Sequence, residues 1–321
     1  MNKIKNKIKN TFIVIALFIT LCIGLCAAYN RMDLFLNPPI TEIPEFNSVL
    51  LNIDNSYNVP VTTFRFSDSK FVTTITSILD TGSAINTINE ESYQLIKERG
   101  YIKKEYFCPL LLTDANKNTT ISTRCVHIDI PVQLIPQIGL KHCIKNVRFF
   151  IRPGDDFMTL GVEFLKEFII HSEAHGEQWR LSKELPEDYL AKFQLKKFNW
   201  HINDFGGRYY WPLTIVGSVH EDFFIDTGYG FSTLQMPMDN HKGENLAKVD
   251  SSYSANSVAV LENTYDTLTI KVGDFTFDTE ACFFNGTRNT SYVINPHALR
   301  EKFNISYDLK NGMLYIVKQL K

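Results

Sequence analysis

The sequence predicts an all-β protein folded as two related halves, and three observations carry that prediction. The 321-residue chain holds 24 Phe and 14 Tyr, and together with its many Val, Ile and Thr this composition favours strands over helices. The triplet Asp-Thr-Gly occurs twice, at Asp80-Thr81-Gly82 and Asp226-Thr227-Gly228. The elements expected after the first triplet recur in the same order after the second, which is the mark of an internal repeat.

Around the first triplet, Phe71-Val72-Thr73-Thr74-Ile75-Thr76-Ser77-Ile78-Leu79 runs straight into Asp80. Around the second, Leu213-Thr214-Ile215-Val216-Gly217, a short polar turn and Phe223-Phe224-Ile225 run into Asp226. Apolar residues resume at Ile85 to Ile88 and at Phe231 to Leu234. Each copy therefore reads as a strand, a tight acidic turn permitted by Gly, and a second strand.

Further on, the polar stretch Thr113 to Thr119 matches Tyr253 to Ser257, and each leads to an alternating strand, Val126 to Ile130 and Leu268 to Val272. Met158 to Phe168 and Tyr292 to Phe303 both read as a strand, a sharp break and a short helix. Asn295 followed by Pro296 suits the cap and first position of the second helix. Each half closes on another strand, Trp179 to Leu181 and Met313 to Val317, the latter after the hairpin signal Asn311-Gly312. The charged, mixed stretch between the copies is the expected connection. The predicted organisation is 1–28 a signal peptide or membrane anchor, 29–185 an N-terminal lobe, 186–201 the inter-lobe connection, and 202–321 a C-terminal lobe.

The N-terminus differs in kind. Lys3, Lys5, Lys7 and Lys9 precede an uncharged apolar run from Phe12 to Ala28, the pattern of an export signal. Cys26-Ala27-Ala28 offers a cleavage site after Ala28. The run is also near the lower limit of about 17 residues for crossing a bilayer as a helix, so an uncleaved anchor with the body facing outward is equally allowed. The body is thus expected to be periplasmic, extracellular or membrane-anchored. Cys108, Cys125, Cys143 and Cys282 lie in that exported part, where up to two disulfides in three connectivities are permitted. Net charge is −2 with no basic block beyond the N-terminus, which argues against nucleic acid as a partner.

Two carboxylates close together can share one proton, since like charges about 3 Å apart do not both ionise easily. The ionised group then acts as general base on a water and the protonated one as donor to an amide oxygen. A pseudo-two-fold pairing of the two halves would bring Asp80 and Asp226 into that relation. Gly82 and Gly228 allow the tight turn and present N–H groups to the carboxylates, and Thr81 and Thr227 carry hydroxyls able to cross to the opposite loop. Either triplet alone reads equally well as an ordinary Asp-Gly turn.

On these residues the chain resembles the aspartic protease superfamily, and retropepsin-like members more than pepsins, over roughly 47–318. Ile78 to Ser83, Ala115-Asn116, the acidic pair Asp155-Asp156, and Leu160-Gly161 followed by Phe164-Leu165 carry the likeness in the first copy. The resemblance implies an all-β, bilobal acid-protease barrel preceded by an apolar N-terminal helix. It implies Asp80 and Asp226 as the catalytic dyad, supported by Thr81, Gly82, Ser83, Thr227 and Gly228. It also implies Ala115 and Asn116 as a flap over substrate, with Ala255 and Asn256 as its weaker counterpart. Two positions depart from the family pattern: Tyr229 stands where Ser, Thr or Ala follows the Gly, so it lacks the short bond that Ser83 could offer its own Asp. Asn295 replaces a Gly.

The expected function is an aspartic endopeptidase acting on peptide or protein substrates, monomeric, without cofactor or metal, and favouring acidic pH. The alternative is a catalytically inactive protein of the same fold that binds peptides or a protein partner. A third reading has each lobe pairing with that of a second copy. His171 and His175 are spaced for one helix face, but Ser172, Glu173, Ala174 and Gly176 make a polar turn of that stretch. Asn118, Asn285, Asn289 and Asn304 open glycosylation sequons. The sequence holds no Gly-rich phosphate loop, Gly-x-Ser-x-Gly or His-Glu-x-x-His motif.

Overall fold

The computed structural model describes residues 12–26, 28, 48–55, 58–67, 72–113, 119–134, 142–154, 157–199, 207–217, 220–237, 248–254, 257–284 and 292–317. Residues 12–26 form a helix whose apolar side chains are exposed. Among the described residues no helix is long and apolar enough to cross a membrane. Lys3, Lys5, Lys7, Lys9 and Ala27 lie outside the described residues, as do Asp155 and Asp156.

The body is mostly strand, in a 13-stranded and an 8-stranded sheet. The larger sheet takes most of its strands from the first half, but its order is telling at one end. There Tyr189–Gln194, Met313–Val317, Asn304–Asp308, Ile169–Glu173, Gln178–Ser182 and Ser48–Asn52 lie side by side. The last two strands of the chain are thus knitted into the sheet of the first half, with Ser306 opposite His171 and Asp308 opposite Ile169. Residues 186–199 are largely strand as well. Tyr189–Gln194 pairs with Met313–Val317, and Lys196–Asn199 pairs with Gly207–Ile215, so this stretch passes the chain from one sheet to the other.

Alternation explains the strands that lead to the triplets. Along Val72–Leu79, Ile75, Ser77 and Leu79 turn inward, and its partner Val61–Ser67 buries Phe64 and Phe66, as a half-buried strand requires. A helix over Glu90–Glu98 follows the first triplet, and it was not expected from the pattern. Asn89 caps it by accepting the N–H of Ser92 at 2.9 Å, Glu90 and Glu91 sit in its first turn, and Tyr93 and Ile96 are its buried side. One hydrophobic core runs through both halves, from Phe66 and Phe149 through Trp179 to Trp211 and Phe223. Trp179 and Tyr307, far apart in the chain, pack with ring centroids 5.9 Å apart.

Two hairpins stand out from the sheets. Ile102–Thr113 pairs with Thr119–Leu134, closing with Thr113 opposite Thr119. Lys248–Ser254 pairs with Ser257–Val272, closing with Ser254 opposite Ser257. The expected flap residues Ala115, Asn116, Ala255 and Asn256 lie outside the described residues. Cys108, Cys125 and Cys282 are buried, and burial pushes the Cys125 thiol well up.

Candidate functional site

Each triplet sits at the end of a strand held by the same parallel pairing. Leu79 lies beside Leu160 and Ile225 beside Ile294. The N–H of Asp80 donates to the Leu160 carbonyl at 2.9 Å, and that of Asp226 to the Ile294 carbonyl at 2.9 Å. This fixes both aspartates at matching points of the two halves, 146 positions apart in the chain, as their threonines are.

The two loops are then locked together. Thr81 Oγ1 accepts the N–H of Thr227 at 3.0 Å and donates to the Ile225 carbonyl at 3.1 Å. Thr227 Oγ1 accepts the N–H of Thr81 at 3.0 Å and donates to the Leu79 carbonyl at 2.6 Å. Both threonines are buried, so these bonds are shielded from water and leaving one unmade would be expensive. The glycines bring the carboxyl groups close. A Cβ on Gly228 would lie 2.7 Å from Asp80 Cγ, and one on Gly82 would overlap the Asp226 carboxyl. Only glycine lets each loop lie against the opposite acid.

The expected pair is therefore assembled: Asp80 and Asp226 hydrogen-bond to one another. Their surroundings are unequal. Asp80 Oδ1 accepts the N–H of Gly82 at 2.7 Å and of Ser83 at 3.2 Å. Asp226 Oδ1 accepts the N–H of Gly228 at 2.9 Å. Burial raises both groups; the bond from Asp226 and the N–H donors of Gly82, Ser83 and Gly228 pull Asp80 back down. Asp226 is pushed well above the ordinary carboxyl range, by burial first and then by the charge of Asp80. Of the two acids, Asp226 is therefore the one raised further.

One expected bond is not made. Ser83 Oγ donates to the Ile85 carbonyl at 2.8 Å, so it is the backbone N–H of Ser83 that reaches Asp80, because the turn aims the side chain back along its own loop. Tyr229, the corresponding residue, is buried with Phe224 and Val293, its ring 5.6 Å from that of Phe231. Its phenol is raised well above the ordinary value by burial, with Cys282 adding to the rise.

The second departure has a cause visible in the chain itself. In the first copy Val162 N–H donates to the Ser83 carbonyl at 2.8 Å, and Asn86 Oδ1 accepts the N–H of Gly161 at 2.8 Å. Gly161 is pressed against the carbonyls of Ser83 and Ile85. In the second copy the residue matching Val162 is Pro296, which has no N–H to give. Asn295 supplies the missing donor: its Nδ2 donates to the Tyr229 carbonyl at 2.7 Å and the Asn58 carbonyl at 2.6 Å. Its Oδ1 accepts the N–H of His297 at 3.0 Å.

Sequence reasoning passed over Asn86, Asn58 and Arg208. The last shares a sheet face with Asp226: Tyr210 lies opposite Phe224, and continuing that register sets position 208 against 226. His171 and His175, by contrast, do not converge. His171 is buried between Ser306 Oγ and the Glu184 carbonyl, at 2.9 and 3.0 Å, and His175 is exposed at 3.9 Å from Glu301. Among the described residues no cluster of His, Cys, Asp or Glu is arranged to hold a metal ion.

An all-β fold with two Asp-Thr-Gly loops locked across a paired-carboxyl site is an aspartic-protease-like fold. Among solved structures the chain is similar to basic 7S globulin from soybean, with 10% identity over 85% of this chain and 95% of that one, at a TM-score of 0.50. It is similar to edgp at 10% identity, over 87% and 97%, with a TM-score of 0.52. Conglutin gamma, a basic 7S globulin from lupine seeds, matches at 9% identity over 84% and 95%, with a TM-score of 0.50. No protein-family model and no curated protein matches the chain.

Identity this low carries the fold alone, and it corrects two expectations. The likeness is to basic 7S globulin and EDGP-type proteins, not to retropepsin-like proteases. Those proteins have the protease-like fold without catalysis, so the triplets and the fold do not license an aspartic endopeptidase, and that assignment is withdrawn. The retropepsin likeness rested on short motifs around Asp80 and Gly161, and such motifs follow from the geometry of the loop, which a non-catalytic protein of the same fold needs as much as an enzyme does.

Proposed function

We propose that this chain is a non-catalytic peptide-binding protein in which two pseudo-two-fold related lobes enclose a cleft floored by Asp80 and Asp226. The observation that carries this reading is the likeness of the fold to basic 7S globulins, and the paired acids supply the means of holding a ligand. Asp226, the more strongly raised of the two, can donate to a ligand carbonyl when protonated. Asp80, supported by the N–H groups of Gly82 and Ser83, is a fixed acceptor for a ligand N–H. A peptide backbone offers both groups side by side. Thr81 and Thr227 keep the two acids in place. The protein works as a monomer, because one chain supplies both acids. The apolar helix and its preceding lysines send the body out of the cytoplasm, as a cleaved leader or an outward-facing anchor.

The test is to express the body from Asn30 onward and measure binding of a mixed peptide library together with its cleavage, from about pH 3 to pH 7. Binding with peptides recovered intact is the expected result, weakened in Asp80→Asn and Asp226→Asn. Cleavage by the parent that either substitution abolishes would overturn the non-catalytic reading. Absence of any peptide binding would overturn the peptide-binding one.

A further inference from the structure

The two sides of the dyad differ in charge. Beside Asp80, the register of Val61–Ser67 against Val72–Leu79 sets Val61 opposite Ile78, so the position facing Asp80 falls to Val59, a buried aliphatic residue. Beside Asp226 the equivalent position is Arg208. Alternation puts Arg208, Tyr210, Phe224 and Asp226 on one face of the sheet. Phe223 and Ile225 point the other way, into the core. The contacts agree: the Arg208 guanidinium lies 5.0 Å from the Phe224 ring centroid, and the Tyr210 and Phe224 rings are 5.6 Å apart. The charge of Arg208 is felt at Asp226, where it favours the ionised form.

This is an aromatic wall with a guanidinium at its cleft end. Phe224 and Tyr229 are buried in it, and Tyr210, Phe231 and Arg208 are partly open. Such a surface suits two groups at once. A flat or branched apolar side chain packs on the rings, and a carboxylate meets the fork of Arg208 in a bidentate pair. Because Arg208 is stacked on Phe224, its fork is already oriented, and little freedom is lost on pairing.

We propose that Arg208 with Tyr210 and Phe224 forms a subsite on the second half's side of the cleft that selects peptides carrying a large apolar residue next to a carboxylate. This rests on the peptide-binding reading and narrows it to a ligand class. The carboxylate is either an acidic side chain or a free C-terminus, and one set of probes separates the two.

Four fluorescent peptides of otherwise identical sequence serve as probes: Phe-Glu or Phe-Gln within the chain, each ending in a free acid or an amide. Their affinities for the parent, Arg208→Gln and Arg208→Lys are compared by polarisation at low salt. The parent is expected to prefer one carboxylate-bearing peptide over its neutral partner by about tenfold or more, a factor in keeping with a charge-assisted pair. Arg208→Gln should erase that preference, and Arg208→Lys should keep part of it. Preference at the Glu/Gln comparison identifies a side-chain carboxylate, and preference at the acid/amide comparison a terminal one. Equal binding of all four peptides by the parent would overturn the subsite while leaving the peptide-binding function standing. So would an acid preference that survives in Arg208→Gln. Failure of all four to bind would overturn both. Thermal melts of the variants confirm that each compares a folded protein.

Discussion

Thr81 and Thr227 each accept the other's backbone N–H at 3.0 Å, so the two Asp-Thr-Gly loops are joined by a reciprocal pair of bonds across the junction of the two halves. Each hydroxyl also donates onward, to the Ile225 and Leu79 carbonyls. Replacing either threonine by Val keeps the shape but strands a buried N–H and a buried carbonyl, at about 1–3 kcal/mol each. Thr81→Val and Thr227→Val are each expected to lose about 2–4 kcal/mol in urea unfolding. Because both belong to one network, the double variant should depart from the sum by more than about 0.5 kcal/mol. Strict additivity would show that the lock does not act as a unit.

Gly228 is pressed against Asp80, where an added Cβ would lie 2.7 Å from Cγ. Gly228→Ala should destabilise by about 1–3 kcal/mol, the usual cost of overpacking. The clash is with one side chain, so in an Asp80→Ala background the same change should cost little. An equal cost in both backgrounds would place the strain in the backbone turn instead.

The acids give the stability a definite pH slope. Both are raised in the folded state, Asp226 the more, with burial as the main cause. A raised carboxyl binds its proton more tightly folded than unfolded, so its contribution is fully present below the unfolded value near pH 3.9. It is lost as pH rises through the folded value. Asp226→Asn should therefore flatten the decline in unfolding free energy above about pH 4 relative to the parent. His297, lowered to about 3 by burial and then by Arg300, acts oppositely: its contribution is present above about pH 6.5 and is lost as pH falls toward 3. Parallel pH profiles for the parent and Asp226→Asn would refute the raised carboxyl.

Asn295 replaces a donor that Pro296 cannot supply. Asn295→Ala should cost about 2–4 kcal/mol, since it leaves the Tyr229 and Asn58 carbonyls and the His297 N–H without this partner in a buried loop. Asn295→Gly, which copies the first half, should do no better on its own. Combined with Pro296→Val it restores an N–H at the position of Val162, and part of the loss should be recovered in the same denaturation assay. No recovery would mean that the two loops do not share one design.

Much of this architecture is legible in the sequence. The strands Val72–Leu79 and His220–Ile225, the hairpins that follow, and the short helical turns at Val162–Leu165 and Pro296–Leu299 all announce themselves by alternation and turn chemistry. Asp80 and Asp226 were legible because the same triplet ends two similar strands. The Glu90–Glu98 helix was missed although its signals are in the sequence: Asn89 at the cap, Glu90 and Glu91 in the first turn, and Tyr93 and Ile96 three apart on its buried side. Ser83 was misjudged because a residue type does not say whether a hydroxyl turns toward the aspartate or toward the Ile85 carbonyl. The step from motif to endopeptidase failed for a different reason: the triplet secures a loop geometry, and that geometry serves binding and catalysis alike.

What the sequence determined by itself is local: which residues form strands, where the chain turns, and that the pattern occurs twice. Tertiary structure decided everything that depends on meeting across the chain. It set Thr81 against Thr227 and Asp80 against Asp226. It gave Asn295 the work of an absent N–H, and it placed Arg208 beside one acid and Val59 beside the other. Strand formation follows from neighbours two residues apart, whereas these contacts join residues far apart in the chain, and their character is fixed only when burial removes the water that would otherwise satisfy each group separately.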